Sequence, residues 1–231
     1  MDKFLSSQLD ISRSDAKKLI KNGSVLLDGK TVAKGETQFD AEQSVVSVNG
    51  EKIIYKKYIY IMLNKPKGVV SASNSPSDIT VIDILPYELK RAGLFPAGRL
   101  DKDTTGFVLI TDDGEFAHNI LSPTKHISKT YIVTLEREVL DEEFALFEQG
   151  MNLGDIILKP ASLKQIDGNV YEIVITEGRY HQIKRMFAST GNKVTELKRI
   201  KMGKLELDSA LAEGESRELS QAELSLVCER I

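Results

Sequence analysis

The stretch that organises this sequence is residues 96–111, PAGRLDKDTTGFVLIT. Its first part is rich in turn-forming and hydroxyl residues and predicts a loop, whereas FVLIT (107–111) is a continuous apolar run that predicts a buried strand. Asp101 therefore stands on a polar loop, close to an arginine and a lysine and just before a rigid element. This placement suits a catalytic carboxylate, although a solvated turn with a capping aspartate would have the same spacing.

The composition is that of an ordinary globular protein: 231 residues, 41% hydrophobic and 28% charged, with a net charge of −3. A single cysteine permits no intramolecular disulfide and suits a reducing compartment, so we expect a cytoplasmic location. The N-terminus lacks the apolar core of a signal peptide, and no apolar run approaches the ~20 residues of a membrane span. Because the chain is slightly acidic, any nucleic-acid contact requires a local concentration of positive charge.

The first 57 residues predict a small separate unit. Apolar residues at helical spacing indicate two short helices, the second opening at 14–16 and ending at Asn22-Gly23. Asp28-Gly29 and Asn49-Gly50 predict the tight turns of two short β-hairpins. The second helix also carries a basic edge that could meet phosphates or simply face solvent: Arg13, Lys17, Lys18 and Lys21.

The rest of the chain predicts alternating strands and helices around the opening stretch. In order, we expect a strand at 58–63, a surface loop at 71–80, a short helix at 81–86, a helix at 112–121, a strand at 129–136, an acidic helix at 138–150, and a strand, turn and helix within 169–194. Residues 178–204 carry eight Lys or Arg against one acid, Glu196, which predicts a positive patch for a polyanion.

Several kinds of chemistry lack their usual pattern. His118, His126 and His181 do not have metal-ligand spacing, and the sequence contains no G-x-S-x-G nucleophile turn and no Gly-rich phosphate loop. Asp101 and Asp103 could suggest a glycosidase pair, but two positions on one loop do not fix the separation that such enzymes need. We therefore expect no metal site.

Three segments resemble the signatures of one enzyme family. PAGRLDKDTTGFVLITDDGEFAHNILSP resembles the catalytic motif of the RsuA family of ribosomal small-subunit pseudouridine synthases, and GRYHQIKRM (178–186) and LKRIKMG (197–203) resemble its second and third signatures. The N-terminal DKFLSSQLDISRSDAKKLIKNGSVLLDGK resembles the small RNA-binding domain of ribosomal protein S4. The likeness extends over almost the whole chain.

The resemblance implies an α+β fold in two domains. Residues 1–57 would form an S4-like RNA-binding domain of two helices and short β-hairpins. Residues 58–231 would form the catalytic domain, with a central mixed, largely antiparallel sheet flanked by helices.

The resemblance also implies roles for individual residues. Asp101 would be the catalytic aspartate, Tyr131 would contact the target base, and Lys184 would pair with Asp101 where many relatives carry arginine. Substrate contacts would come from Arg99, Ile173, Ile175, Arg179, His181, Gln182, Arg185 and Arg199. RNA contacts in the small domain would come from the basic edge, Arg13, Lys17, Lys18 and Lys21.

The implied reaction isomerises a specific uridine of ribosomal RNA, with 16S rRNA as the favoured target, a monomeric enzyme and no cofactor. Asp101 could attack the sugar or remove a sugar proton; either role needs the ionised carboxylate, which Lys184 favours and burial opposes. Three alternatives stay open: a large-subunit (23S) rRNA enzyme of the same superfamily, a non-catalytic rRNA-binding assembly protein, and a nucleoside hydrolase that releases free uracil.

Overall fold

A computed structural model describes residues 1–122, 124–125 and 127–229, which contain two separate β-sheets. His126, one of the histidines considered above, lies outside the described residues. None of the helices in the described part of the chain has the length and hydropathy that a membrane crossing requires.

The N-terminal sheet is small and antiparallel, with strand order β2-β1-β3-β4. Its elements are α1 (Asp2–Gln8), α2 (Arg13–Lys21), β1 (Val25–Leu27), β2 (Lys30–Thr31), β3 (Val46–Val48) and β4 (Glu51–Ile53). Asp28 and Asn49 have φ angles of 49° and 52°, the left-handed conformation that two-residue hairpin turns require. Both predicted turns are therefore confirmed. The second helix begins earlier than predicted, because the hydroxyl of Ser12 caps it by accepting from the Asp15 amide.

The second sheet is mixed and runs in the order β13-β5-β7-β11-β8-β10-β9. In this order β7 and β11 are parallel and every other pair is antiparallel, which confirms the predicted mixed, largely antiparallel sheet. The strands are β5 (Tyr60–Lys65), β6 (Phe95–Pro96), β7 (Thr105–Thr111), β8 (Lys129–Leu135), β9 (Ser162–Asp167), β10 (Val170–Ile175), β11 (Val194–Met202), β12 (Leu205–Glu206) and β13 (Ser216–Glu218). The helices are α3 (Gly114–Leu121), α4 (Asp141–Gln149), α5 (Gln182–Ser189) and α6 (Gln221–Cys228), with a 3-10 turn at Tyr87–Leu89.

The central strand β7 has a continuous apolar sequence because both of its faces are covered. Val108 and Ile110 belong to a core that includes Phe187 of α5. Phe107 and Leu109 belong to a second core, which is shared with α3 and α6. A strand buried on both faces needs apolar residues at successive positions, rather than alternation.

The predicted helix at 81–86 is wrong. These residues form turns in which the Thr80 hydroxyl accepts from the Asp83 amide at 3.2 Å, an arrangement typical of a helix start. The helix cannot continue because Pro86 disfavours the helical conformation of the residue before it, and so few residues cannot offset the cost of nucleation. Val81 and Leu85 are instead buried in the core.

The strand predicted at 58–63 is displaced by two residues. β5 ends at Lys65 because its last two residues, Asn64 and Lys65, pair with Phe107 and Gly106 of β7. Both polar side chains are buried, which the apolar pattern could not indicate.

The link between the two sheets is held at residues 56 and 57. Arg91, which is almost fully buried, donates to the carbonyls of Lys56 and Lys57 and pairs with Asp112 at 2.6 Å. The Lys56 amide donates to the side chain of Gln8, and its ammonium pairs with Glu218. The link therefore contacts both parts of the chain.

Candidate active site

The loop between β6 and β7 carries Asp101 and is fixed by hydrogen bonds on its own backbone. The Ser71 hydroxyl accepts from the Leu100 amide at 3.0 Å and donates to the Leu100 carbonyl at 3.1 Å. The Thr104 amide donates to the Asp101 carbonyl at 3.1 Å, which closes a turn. The backbone that carries the carboxylate is thus held beside a rigid strand, as a preorganised site requires.

Lys65 anchors the same loop through three carbonyl groups. Its side chain is fully buried, and its ammonium donates to the carbonyls of Pro66, Lys102 and Thr104 at 3.0, 3.3 and 2.8 Å. Burial lowers the pKa of Lys65 to about 8, against the opposing influence of Asp103 and Asp101.

Sequence reasoning missed Lys65 and assigned Ser71 to a surface loop, whereas Ser71 is buried. A lysine that ends an otherwise apolar strand was the available signal for Lys65. No local signal distinguished Ser71 from the polar residues that follow it.

Lys184 contacts two carboxylates at once. Its ammonium lies 3.2 Å from Oδ2 of Asp101 and 2.7 and 2.9 Å from the oxygens of Asp103. Burial lowers the pKa of Lys184, but the hydrogen bonds to Asp103 and Asp101 outweigh it and the net shift is upward. The hydrogen bond from Lys184 lowers the pKa of Asp103. Nε2 of His181 lies 3.5 Å from Oδ1, the other carboxylate oxygen of Asp101.

The start of α5 places His181 and Lys184. His181 takes the left-handed conformation, with φ at 49°, directly before the helix. The buried Gln182 then accepts from the Arg179 amide at 3.0 Å and donates to Glu177 at 3.2 Å, which fixes the turn before the helix. Three buried apolar residues set the rotation of α5 and leave Lys184 beside Asp101: Ile183, Met186 and Phe187.

A pocket opens directly over Asp101, and its walls are of two kinds. Leu100, Ile175 and Leu197 supply apolar surface, together with the ring of the almost buried Tyr131. Positive charge or hydrogen-bond donors come from Arg99, Arg179, His181 and Lys184. Small apolar pockets with a few convergent polar groups are typical of ligand sites.

The structure brings most of the predicted site residues together. Eight of them line the pocket: Arg99, Asp101, Tyr131, Ile175, Arg179, His181, Gln182 and Lys184. The other three lie elsewhere. Ile173 is buried in the core, Arg185 pairs with Asp155, and Arg199 is buried opposite Tyr131 and lines a neighbouring cavity.

Sequence reasoning missed five residues of the pocket: Leu100, Thr104, Gly178, Ile183 and Leu197. Leu100 and Leu197 complete its apolar wall, and the hydroxyl of Thr104 is buried with no hydrogen-bond partner among the described residues. Leu100 stands beside Asp101 in the sequence, so proximity could have indicated it. Leu197 joins the pocket only because β11 lies beside β7.

The basic segment 178–204 is less positive in the folded chain than its sequence suggests. Five of its cations pair with carboxylates outside the segment: Arg179 with Glu177, Lys184 with Asp101 and Asp103, Arg185 with Asp155, Lys201 with Glu206, and Lys204 with Glu229. A sixth, Arg199, is buried. The predicted surface patch is therefore wrong for six of its eight cations, which are paired with carboxylates or buried.

The basic edge of α2 is partly neutralised in the same way. Lys17 lies 3.9 Å from Asp2, and Lys18 lies 2.8 Å from Asp15. Arg13 and Lys21 are exposed and have no ion pair among the described residues. Lys17 and Lys21 both border a groove between α2 and β2.

An exposed aromatic side chain stands at the rim of the pocket. Tyr180 is 77% exposed and stacks on the ring of His181 with centroids 3.8 Å apart. Exposed rings beside positive charge are surfaces on which nucleobases stack. Within the described residues, no group of three or more His, Cys, Asp or Glu side chains could hold a metal ion.

Comparison with known proteins identifies the family. Residues 59–189 match the profile of the RNA pseudouridylate synthase family, and residues 1–45 match that of the S4 domain. The chain belongs to the RNA pseudouridylate synthase family. It is accordingly an isomerase that acts on RNA, and the family resemblance of its sequence segments is confirmed.

Relatives of the same family match over nearly their whole length. The RNA pseudouridine synthase YtzG of Bacillus subtilis (strain 168) is 45% identical over 99% of this chain and 98% of its own. Ribosomal small subunit pseudouridine synthase A of Escherichia coli (strain K12) is 42% identical over 98% of this chain and 99% of its own. A crystal structure of a pseudouridylate synthase matches with a TM-score of 0.70, at 40% identity and 98% coverage of both chains.

Proposed function

We propose that this pseudouridine synthase isomerises a specific uridine of small-subunit (16S) ribosomal RNA, acting as a monomer in the cytoplasm, with Asp101 as its catalytic carboxylate. The observation that carries the proposal is the position of Asp101. The side chain of Asp101 is only 29% exposed and lies between the side chains of Lys184 and His181. It is carried by an anchored loop and lines the same pocket as Tyr131. The names of the relatives support the small ribosomal subunit as the target.

The chemistry needs one ionised carboxylate beside the sugar. The bond from N1 of uracil to C1′ breaks, the base turns, C5 bonds to C1′, and the proton on C5 leaves while N1 gains one. Nothing is consumed, so the reaction requires no cofactor. Asp101 either attacks C1′ or removes a sugar proton, and the ammonium of Lys184 lies 3.2 Å from its carboxylate.

The pocket suits a flat base with polar edges. The uracil ring would lie against Tyr131 and the apolar wall formed by Leu100, Ile175 and Leu197. To enter, the target nucleotide must be unpaired or turned out of its stack, which costs a few kcal/mol. That cost is offset by contacts to phosphates and to a neighbouring base, from Arg99, Arg179 and the exposed ring of Tyr180.

The two sheets divide the work in this proposal. Residues 1–57 form the RNA-anchoring domain, with Arg13, Lys17, Lys18 and Lys21 as phosphate contacts, and residues 58–231 form the catalytic domain. The separate sheets and the separate N-terminal core support this boundary.

The test is Asp101→Asn, with Asp103→Asn as its matched control. Both replacements remove one carboxylate bonded to Lys184, but only Asp101 lines the pocket. With RNA carrying tritium at C5 of uridine, we expect the Asp101 variant to bind but release no tritium. The Asp103 variant should stay within about tenfold of the normal rate, because it keeps the reacting carboxylate.

Two outcomes would contradict the proposal. A folded Asp101→Asn protein that still releases tritium at a sizeable fraction of the normal rate would remove Asp101 from the mechanism. Free uracil as product would indicate a hydrolase. Mapping of pseudouridine in ribosomal RNA from cells with and without the protein decides between 16S and 23S targets. A protein that binds RNA but leaves every uridine unchanged would be an assembly factor.

A further inference from the structure

A second cavity adjoins the active-site pocket and is dominated by cations. It has a volume of about 280 Å³ and shares Arg99, Tyr131 and Arg179 with the pocket over Asp101. This volume is far above the ~15 Å³ that one water molecule requires. Its charged lining residues, which define the cationic cavity, are Arg99, Lys129, Lys159, Arg179, Arg199 and Glu177.

Lys129 and Arg199 are the unusual members of this set, because they are 8% and 1% exposed and no carboxylate pairs with either among the described residues. Lys129 donates to the Ile127 carbonyl, and Nε of Arg199 donates to the Phe107 carbonyl. Nη2 of Arg199 has no partner among the described residues. Burial, and then the nearby Arg199, lower the pKa of Lys129 to about 8. Two buried cations without a counter-ion destabilise a fold, and a bound anion would reduce that cost.

The strand register explains why the two cavities adjoin. Lys129 and Tyr131 are two residues apart on β8 and therefore face the same side of the sheet, about 6.6 Å apart along the strand. Arg199 lies directly opposite Tyr131 on β11. A group bound between Lys129 and Arg199 would therefore lie next to a base held against Tyr131.

The carboxylate of Glu177 does not neutralise this pair of cations. It lies 3.6 Å from Arg179, and it accepts from the Lys159 amide at 2.9 Å and from Gln182 at 3.2 Å. Its negative charge is thus matched by its own partners, and the cavity keeps a surplus of positive charge.

We propose that the cationic cavity binds one phosphate of the RNA, the one that joins the target uridine to a neighbouring nucleotide, through Lys129 and Arg199. The proposal rests on the proposed function for the identity of the ligand. A phosphodiester matches the cavity because its oxygens accept from ammonium and guanidinium groups at once, and such charge-assisted bonds are strongest where water is excluded. Binding there would fix the sugar beside Asp101, since the phosphate and the base would be held at separate points.

The first experiment does not depend on catalysis. The full-length protein is titrated with inorganic phosphate against chloride at constant ionic strength, and binding is followed by calorimetry. The variants are Lys129→Met and Lys129→Gln, which both remove the charge. The matched control is Lys193→Met, which removes an exposed lysine outside both cavities.

We expect the wild type and the Lys193 control to bind phosphate equally. We expect both Lys129 variants to bind at least about tenfold more weakly, as removal of one buried charge-assisted bond predicts. Equal binding by the Lys129 variants and the wild type, or no phosphate binding by the folded wild type, would overturn the assignment of the cavity.

The second experiment identifies the phosphate in RNA. The rRNA fragment that contains the modified uridine is synthesised with a neutral methylphosphonate at the 5′ or at the 3′ linkage of that uridine. We expect one of the two replacements to lower the single-turnover rate or affinity of the wild type about 10- to 100-fold, and to add no further loss in Lys129→Met.

The outcomes of the two experiments are distinguishable from failure of the proposed function. If the protein forms no pseudouridine, the proposed function fails, while phosphate titration still decides the anion site. If it forms pseudouridine but tolerates a neutral linkage on both sides, or if the methylphosphonate and Lys129→Met losses multiply independently, the flanking-phosphate assignment is wrong.

Discussion

Lys184 differs from the other lysines of its segment because it bonds to two carboxylates of the active-site loop while being only 26% exposed. Replacing it by methionine removes the charge and approximately keeps the volume, so Asp101 and Asp103 would face each other without a cation. We expect the single-turnover rate of Lys184→Met to fall about 100-fold or more, whereas RNA affinity falls less than about tenfold.

The control for this prediction is Lys198→Met, which removes a half-buried lysine that lines neither the pocket over Asp101 nor the cationic cavity. Its catalytic rate should be close to normal. Parallel losses of affinity and rate in Lys184→Met would mean that this lysine is simply a phosphate contact.

Lys129 predicts an unusual dependence of stability on pH. Its pKa of about 8 in the folded protein lies below its unfolded value near 10.5, so the charged form is disfavoured by folding. At pH 7 this costs about 3 kcal/mol, of which the bond to the Ile127 carbonyl returns about 1 kcal/mol. We therefore expect Lys129→Met to be about 2 kcal/mol more stable than the wild type at pH 7.

The difference should shrink as the pH rises from about 8 to 10.5. In that interval the unfolded wild type retains the proton that its folded form has lost, so its free energy of unfolding rises with pH relative to the variant. Denaturant unfolding at several pH values measures this. Lys193→Met should show no such trend. A Lys129 variant that is less stable than the wild type at pH 7 would show that this lysine supports the fold.

Among the secondary-structure elements, the contact between β7 and β11 sets the position of the loop that carries Asp101. Gly106 has a φ angle of 97°, and a Cβ there would lie 2.2 Å from the Arg199 carbonyl oxygen in the parallel neighbour β11. No side chain fits between two backbones at that distance. Asp101 lies in the loop that leads into β7, just before Gly106 in the sequence. Any separation of β7 from β11 therefore also moves the Asp101 carboxylate.

Gly106→Ala should therefore lower the free energy of unfolding by about 3 kcal/mol or more and reduce turnover with it. The control is Gly214→Ala, at a φ angle of 92° with no atom within 4 Å of the added Cβ. It bears only the backbone strain, about 1–2 kcal/mol. Equal losses for the two variants in denaturant unfolding would mean that the close approach of β7 and β11 is unimportant.

For the molecule as a whole, the small N-terminal domain should contribute affinity for RNA without contributing chemistry. Arg13→Gln combined with Lys21→Gln removes two exposed cations of the basic edge. Lys30→Gln combined with Lys52→Gln, two exposed lysines on the sheet of the same domain, provides equal loss of charge elsewhere.

We expect the first double variant to reduce the slope of log affinity against log salt by about 1.5, as two lost phosphate contacts predict. The control should leave the slope nearly unchanged, and single-turnover rates at saturating RNA should match the wild type for both. Filter binding over about 50 to 200 mM salt, where counterion release dominates the salt dependence, is the measurement. If the two double variants alter the slope equally, the basic edge has no special role in binding.

Most element types, and eight of the residues that line the pocket over Asp101, could be predicted from the sequence. Hairpin turns at Asp28 and Asn49, the buried strand after Asp101 and the helix after Asp113 follow from local preferences, because a turn or a cap depends on neighbours in the chain. The family signatures likewise indicated Asp101, Tyr131 and Lys184, and the pocket contains all three.

The residues that support the pocket and the Asp101 loop became evident only from the folded chain. Lys65 and Ser71 hold the loop from distant segments, Asp103 shares Lys184, and Leu197 closes the pocket. Five of the eight cations in segment 178–204 pair with acids elsewhere in the chain. A count along the sequence could therefore not give the net charge that this segment presents at the surface. Burial and ion pairing depend on contacts between remote residues, and a local pattern carries no information about which remote strand lies beside it.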